Sequence, residues 1–243
     1  MRKTALIVGL NYPGTEYALS GCVLDAEAIG ERLMRAGYEV QGLVQSATPG
    51  EVADTLRWAA NTHGTHDSFY FTYSGHGTQI PGNEADGSRE ALCLWDRPNG
   101  IMLLRDSDLL QMLHAIPGNV FMLLDSCYSA GMERQVTTPG EQTDLRKKSI
   151  PLSPTMQIFD PGDRRAAKKP AITRQYHLFA CAENEVSYDT AGGGVFTTSL
   201  MYHSGVGRRS IGRAMLYTVN SCMGMQTPEY KITGGTSAKR LFV

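Results

Sequence analysis

A histidine and a cysteine close two similar stretches of this 243-residue chain. Phe71-Thr72-Tyr73-Ser74-Gly75-His76-Gly77 and Phe121-Met122-Leu123-Leu124-Asp125-Ser126-Cys127 each start as an apolar, β-rich run and end in small polar residues. An imidazole within reach of a thiol activates a cysteine nucleophile by taking its proton and later returning one to a leaving group. A free cysteine is more often a small buried hydrophobe. Three features favour chemistry at Cys127. It follows a strand that is already ending, its neighbours are Asp125, Ser126 and Ser129, and a glycine-flanked His76 ends a matching strand. Gly75 and Gly77 let backbone approach a ligand closely, and their amides could serve an oxyanion.

For the two side chains to meet, the strands that carry them must be neighbours. Continuous apolar runs bounded by turn residues read as buried strands of a parallel sheet, whose carboxyl ends are where open α/β sheets place their chemistry. The rest of the chain fits that frame. Residues 5–10 read as a first strand, followed by a turn at 11–14. A helix starts near Val23, presents Ala26, Ile29, Leu33 and Met34 on one side, and ends at Ala36-Gly37. Residues 38–44 form a second strand. Thr48 with Glu51 three residues on, and Pro49 between, predicts a capped helix over 51–60. Strands follow at 68–73 and 119–124, the two that deliver His76 and Cys127. Between them lie a loop over 78–88, a hairpin of 91–95 with 101–104, and a helix over 106–114 capped by Asp106. After Gly131 the pattern fails until a strand at 176–180. Helices are predicted at 195–203 and 211–222, and a short last strand at 240–243.

Strands alternating with helices give an α/β fold, a three-layer sandwich with a mostly parallel central sheet flanked by helices. One domain over 1–243 is expected, with a larger part to about residue 131, a structureless basic loop over about 133–175, and a smaller part over 176–243 sharing the same core. Hydrophobic residues make up 42% and charged residues 19%, ordinary for a globular protein. A net charge of -1 gives no bulk case for nucleic acid or an anionic membrane. No apolar run approaches a membrane span, and 5–9 is too short for a signal peptide. Five scattered cysteines without CxxC spacing fit free thiols in a reducing cytoplasm and exclude a zinc site.

Tyr73-Ser74-Gly75-His76-Gly77 followed by Asp125-Ser126-Cys127-Tyr128-Ser129-Ala130-Gly131 resembles the metacaspases, relatives of the caspases. Leu19 to Ala26 looks like the segment that opens the family's first helix. Residues 180–184 and 194–197 look like its small-subunit motifs. The resemblance covers nearly the whole chain and implies a caspase-like fold in a minimal form without a prodomain. It implies a cysteine endopeptidase with His76 and Cys127 as catalytic dyad and the amides of Gly77 and Cys127 as oxyanion donors. It also places Asp25 and Asp125 in the primary specificity pocket, with Cys22 and Ser74 beside them. Two carboxylates in a partly buried pocket select Arg or Lys and reject an anion. The plainer alternatives are a first-turn carboxylate favoured by the helix dipole for Asp25 and a turn cap for Asp125.

The basic loop carries the residues such a pocket would accept: Lys147, Lys148, Arg164, Arg165, Lys168, Lys169 and Arg174, beside Arg146. Self-cleavage there is one expectation; a solvated charged loop or a lid is the other. Many metacaspases bind calcium through clustered aspartates. Here Arg89 stands ahead of Glu90, Asp106 is followed by Ser107, and Glu133-Arg134 replaces an aspartate, so no cofactor is expected and calcium is not required. The expected partner is a protein or peptide with Arg or Lys at the cleavage site, met by a monomer. The alternatives are a catalytically silent binding module on the same fold and a protease of the same fold with another preference.

Overall fold

Strand side chains alternate between two apolar sets, and that alternation builds the layers. In the computed structural model, Leu6, Val8, Phe69, Phe71, Val120 and Met122 face one side of a sheet. Ala5, Ile7, Tyr70, Phe121 and Leu123 face the other. The structure describes residues 1–82, 88–96, 100–127, 145–162, 172–182, 185–205, 209–222 and 224–243.

The elements run β1 (Lys3–Gly9), α1 (Cys22–Arg35), β2 (Glu39–Val44), α2 (Pro49–Thr62), β3 (Ser68–Ser74), β4 (Gly77–Pro81), β5 (Ser88–Asp96), β6 (Gly100–Arg105), α3 (Asp106–His114), β7 (Gly118–Asp125), β8 (Arg146–Lys147), β9 (Gln157–Ile158), β10 (Thr173–Phe179), β11 (Tyr188–Thr190), β12 (Gly193–Gly194), α4 (Val195–Gly205), α5 (Ile211–Ser221) and β13 (Glu229–Thr233). The main sheet has six strands in the order β13-β10-β7-β3-β1-β2. All its pairings are parallel except that of the edge strand β13 with β10. Helices α2 and α3 pack on one face through Val52, Leu56, Leu109 and Leu113. Helices α1, α4 and α5 cover the other through Ile29, Leu33, Phe196, Leu200 and Ala214. The caspase-like three-layer architecture is therefore present. Among the described residues no helix is long and apolar enough to cross a membrane.

Local chemistry fixes several boundaries. Thr48 Oγ1 accepts from the Glu51 amide at 3.1 Å while Glu51 accepts from the Thr48 amide at 2.8 Å, the reciprocal cap read from the sequence. Gly37 turns the chain after α1 with a φ of 84°, a conformation that favours glycine. Gly9 ends β1 where an added Cβ would lie 2.6 Å from the Ala26 methyl and the Cys22 carbonyl. The missing side chain thus lets the start of α1 sit against the sheet edge.

Four expectations need correction. Residues 78–81 belong to β4, because Gly77 to Pro81 pair antiparallel with Leu92 to Ser88, and residues 83–87 lie outside the description. Asp106 is the first residue of α3 and Arg105 occupies the cap position. The last strand is β13, whereas Arg240 makes a single bridge to Ser210. The stretch over 133–175 is not structureless throughout. It contains β8, β9 and the start of β10, ordered by pairing with Tyr188-Asp189, Met102-Leu103 and Gly118-Asn119.

Candidate active site

Register brings the two predicted residues together. β3 and β7 run parallel with Ser74 opposite Asp125. Two residues further along each strand stand His76 and Cys127, at the same sheet edge. Both are buried, at 3% and 0% exposure.

His76 is held on both sides by backbone and phenol groups. Its Nε2 lies 2.7 Å from the Tyr17 carbonyl. A carbonyl only accepts, so Nε2 carries the proton and Nδ1 keeps the free lone pair. That Nδ1 is buried with no hydrogen-bond partner of its own. The His76 amide donates to Tyr12 Oη at 3.0 Å, and Tyr73 Oη donates to the His76 carbonyl at 2.6 Å. Burial, foremost, pushes the imidazole pKa down to about 4, leaving it neutral near pH 7. The Cys127 thiol donates to the Ser187 carbonyl at 3.1 Å, and the Ser187 amide points back at the sulfur.

Beside this pair lies a buried acidic pocket filled by the chain's own lysine. Lys148 Nζ is 3.0 Å from Asp125 Oδ1, 3.2 Å from Asp25 Oδ2, 2.9 Å from Ser74 Oγ and 3.9 Å from Asp189 Oδ1. The carboxylates are themselves fixed. Asp125 accepts from Ser187 Oγ and Thr197 Oγ1 at 2.7 Å each. Asp25 accepts from Ser74 Oγ at 2.6 Å and the Gly194 amide at 2.9 Å. Asp189 accepts from the Ser20 and Gly21 amides at 2.7 and 2.9 Å. Burial works against the Lys148 ammonium, but the carboxylates, Asp125 foremost, outweigh it and hold its pKa well above the usual lysine range. Burial raises the Asp25 pKa, partly countered by Lys148.

The backbone of the same lysine is held as firmly. Its carbonyl accepts from the Gly77 amide at 3.0 Å and the Cys127 amide at 3.2 Å, and its amide donates to the Ser187 carbonyl at 3.0 Å. One residue thus has its cation in the pocket and its carbonyl between two amides beside a cysteine.

Of the sequence-predicted residues, His76, Cys127, Gly77, Asp25, Asp125, Cys22, Ser74 and Lys148 converge here. Lys147 lies half-buried on β8. Arg174 lies opposite Asn119, toward the other end of the parallel strands, away from the site. Arg164, Arg165, Lys168 and Lys169 lie outside the described residues. At Gly75 an added Cβ would meet the Tyr73 and Tyr12 hydroxyls at 2.6 and 2.8 Å, and the Gly75 amide donates to the Asp125 carbonyl at 3.3 Å. Asp189, Gly194, Ser187, Tyr12 and Tyr17 were missed. Tyr12 was visible only as part of a turn, Ser187 and Tyr17 sit outside regular elements, and Asp189 and Gly194 lie on strands of two or three residues, too short for a periodic signal.

Among the described residues, the group of three close ligand-type side chains is Cys22, Asp25 and Asp189, which surrounds the Lys148 ammonium. Arg89 and Glu90 lie on β5, Asp106 opens α3, and Glu133 and Arg134 lie outside the description.

A family model described as "Caspase domain" matches residues 2–235. Metacaspase-1 of Schizosaccharomyces pombe is 30% identical over 201 residues, covering 75% of this chain and 47% of that protein. Metacaspase-9 of Arabidopsis thaliana is 29% identical over 173 residues, covering 64% of this chain and 51% of that protein. The chain thus spans about half the length of these curated relatives. The crystal structure of protein GSU0716 from Geobacter sulfurreducens superposes with a TM-score of 0.78 at 26% identity, covering 100% of this chain and 98% of that one.

Proposed function

Because the chain belongs to the caspase-domain family of cysteine peptidases, we propose that it is a cysteine endopeptidase that cuts after Lys or Arg and cuts itself between Lys148 and Ser149. The observation that carries this is the double hold on Lys148, its ammonium on Asp25 and Asp125 and its carbonyl on the Gly77 and Cys127 amides. A scissile carbonyl needs donors placed where its oxygen will gain charge. The basic side chain of the same residue needs a carboxylate pocket, and Lys148 meets both needs.

The chemistry follows from the two nitrogens of His76. Its Nε2–H is engaged by the Tyr17 carbonyl, so the free Nδ1 takes the proton of the Cys127 thiol. The sulfur attacks the Lys148 carbonyl carbon, and the oxygen's developing charge is met by the two amides. His76 then gives its proton to the Ser149 nitrogen as the C–N bond breaks, leaving a Lys148 thioester and a free amine. Water hydrolyses the thioester and returns the thiol. In trans, a protein or peptide with Lys or Arg would take the place of Lys148. The net charge of -1 favours a protein over a nucleic-acid substrate.

Fluorogenic peptides ending in Arg, Lys or Asp, offered with calcium and with chelator, test this. Turnover of the Arg and Lys peptides in both conditions, lost in Cys127→Ala, is the expected result. Turnover of the Asp peptide would overturn the pocket assignment. A need for calcium would overturn the metal-free reading. An intact chain that turns over none of the peptides would favour a silent binding module.

A further inference from the structure

Beyond Lys148 the chain continues into a second pocket of opposite character. Ser149 bridges Gly77 in parallel, and the Ile150 amide donates to the Gly77 carbonyl at 3.1 Å. The segment therefore lies as an added strand beside the start of β4, and alternate residues share a face. Lys148 and Ile150 are both buried on that face, at 0% and 2% exposure. Ile150 packs with Ile80, Ala91, Cys93 and Leu103 from β4, β5 and β6, with Tyr17 and Met156 at the edge. This cluster is separate from the apolar sets on the two faces of the main sheet. On either side, Leu145, Arg146, Pro151 and Leu152 are exposed. Thus only Lys148 and Ile150 of the stretch 145–152 are buried.

We propose that the pocket of Ile80, Ala91, Cys93 and Leu103 is a second specificity subsite. It takes an aliphatic side chain two residues beyond the cut, so the preferred substrate reads basic-x-aliphatic across the scissile bond. This rests on cleavage after Lys148 and deepens it. The sequence supplies an independent discriminator. Two residues beyond Arg146, Lys147, Arg164, Arg165, Lys168, Lys169 and Arg174 stand Lys148, Ser149, Ala166, Ala167, Pro170, Ala171 and Tyr176. Among all basic residues of 133–175, Lys148 and Arg134 alone are followed at that distance by a branched aliphatic residue, Ile150 and Val136. The acidic pocket would accept any of these basic residues; the apolar pocket narrows them to two, of which Lys148 is the one seated between Asp25 and Asp125.

Two arms test it. In the first, self-cleavage is timed in the wild type, Ile150→Val and Ile150→Asp, and the new N-terminus is sequenced. Ile150→Val should stay within about threefold, and Ile150→Asp should slow by about 30-fold or more, as expected for losing burial of a whole side chain. In the second, which does not depend on variant folding, the processed wild-type enzyme receives internally quenched peptides ending the cut site in Lys-Ser-Ile or Lys-Ser-Asp. The isoleucine peptide should be cut at least tenfold faster. Equal rates for the two peptides would overturn the subsite while leaving cleavage after lysine intact. Absence of a fragment beginning at Ser149, with neither peptide cut, would instead bring down the underlying assignment and the subsite with it.

Discussion

The two halves of the site are built on opposite physical terms. Around His76 and Cys127 the contacts are to backbone carbonyls, amides and tyrosine hydroxyls, and the imidazole is neutral. Around Lys148 the contacts are between full charges, with the side chains of Lys148, Asp25, Asp125 and Asp189 all at 2% exposure or less. The first half is positioned by strand register and hydrogen bonds, so it can be altered with little cost to the fold. The second is held by compensation, and removing one partner leaves buried charge uncompensated. Catalysis and stability should therefore separate along the line between them.

The sharpest separation comes from Cys127→Ala. Self-cleavage should fall by at least about 10³-fold, the scale seen when a catalytic nucleophile is removed. The melting temperature should stay within about 2 °C, because no charge is unpaired and the lost group is small. A large loss of stability would erase the distinction between the halves. Lys148→Met should also abolish the cut after residue 148, but it should in addition cost stability, since it leaves three carboxylates facing one another. Breaking a buried ion pair costs about 3–5 kcal/mol. Burial already raises the Asp25 pKa, and without the countering cation it rises further. The variant's deficit should therefore widen as pH rises from about 4 to 7, in denaturant titrations at each pH.

Acid should act on the neutral half. Burial holds His76 down to about 4, against 6.5 for a free histidine, and does the same to His177, which lies outside the site on β10 opposite Met122. Between those values the unfolded chain binds more protons than the folded one. Stability should thus fall as pH drops from about 6.5 to 4, by on the order of 3 kcal/mol per histidine. Gly194→Ala probes the wall of the charged half. An added Cβ would meet Asp125 Oδ2 and Lys148 Nζ, both closer than contact distance. Self-cleavage should slow by roughly 10- to 100-fold, the effect of misplacing a bound group by about an ångström. The smallest effect belongs to Asp189→Asn, since Asp189 lies 3.9 Å from the ammonium and is mainly tied to the Ser20 and Gly21 amides. A change below about fivefold is expected there, and a change as large as that of Asp125→Asn would make the pocket a three-carboxylate device.

What the sequence revealed and what it concealed follow the same division. His76 and Cys127 were legible because buried parallel strands announce themselves as apolar runs and end where chemistry sits. Asp25 and Asp125 became pocket residues only through a family resemblance, since first-turn and strand-end carboxylates have ordinary explanations. Asp189, Ser187 and Gly194 come from short segments whose positions depend on tertiary docking, which no local period records. Residues 145–162 looked structureless for a related reason. Their order comes from Lys148 entering the acidic pocket, Ile150 the apolar one, and Gln157-Ile158 pairing with β6. Strand β4 was hidden by its glycine and proline, although Gly77 and Pro81 sit only at its ends.

The most direct test of the account is the first residue of the self-cleavage fragment. Purified wild type, Cys127→Ala and Lys148→Met would be incubated together under identical conditions and read by intact mass and N-terminal sequencing. The account predicts a fragment beginning at Ser149 from the wild type and no such fragment from either variant. A fragment beginning elsewhere in the wild type, or one at Ser149 that persists in Cys127→Ala, would contradict it.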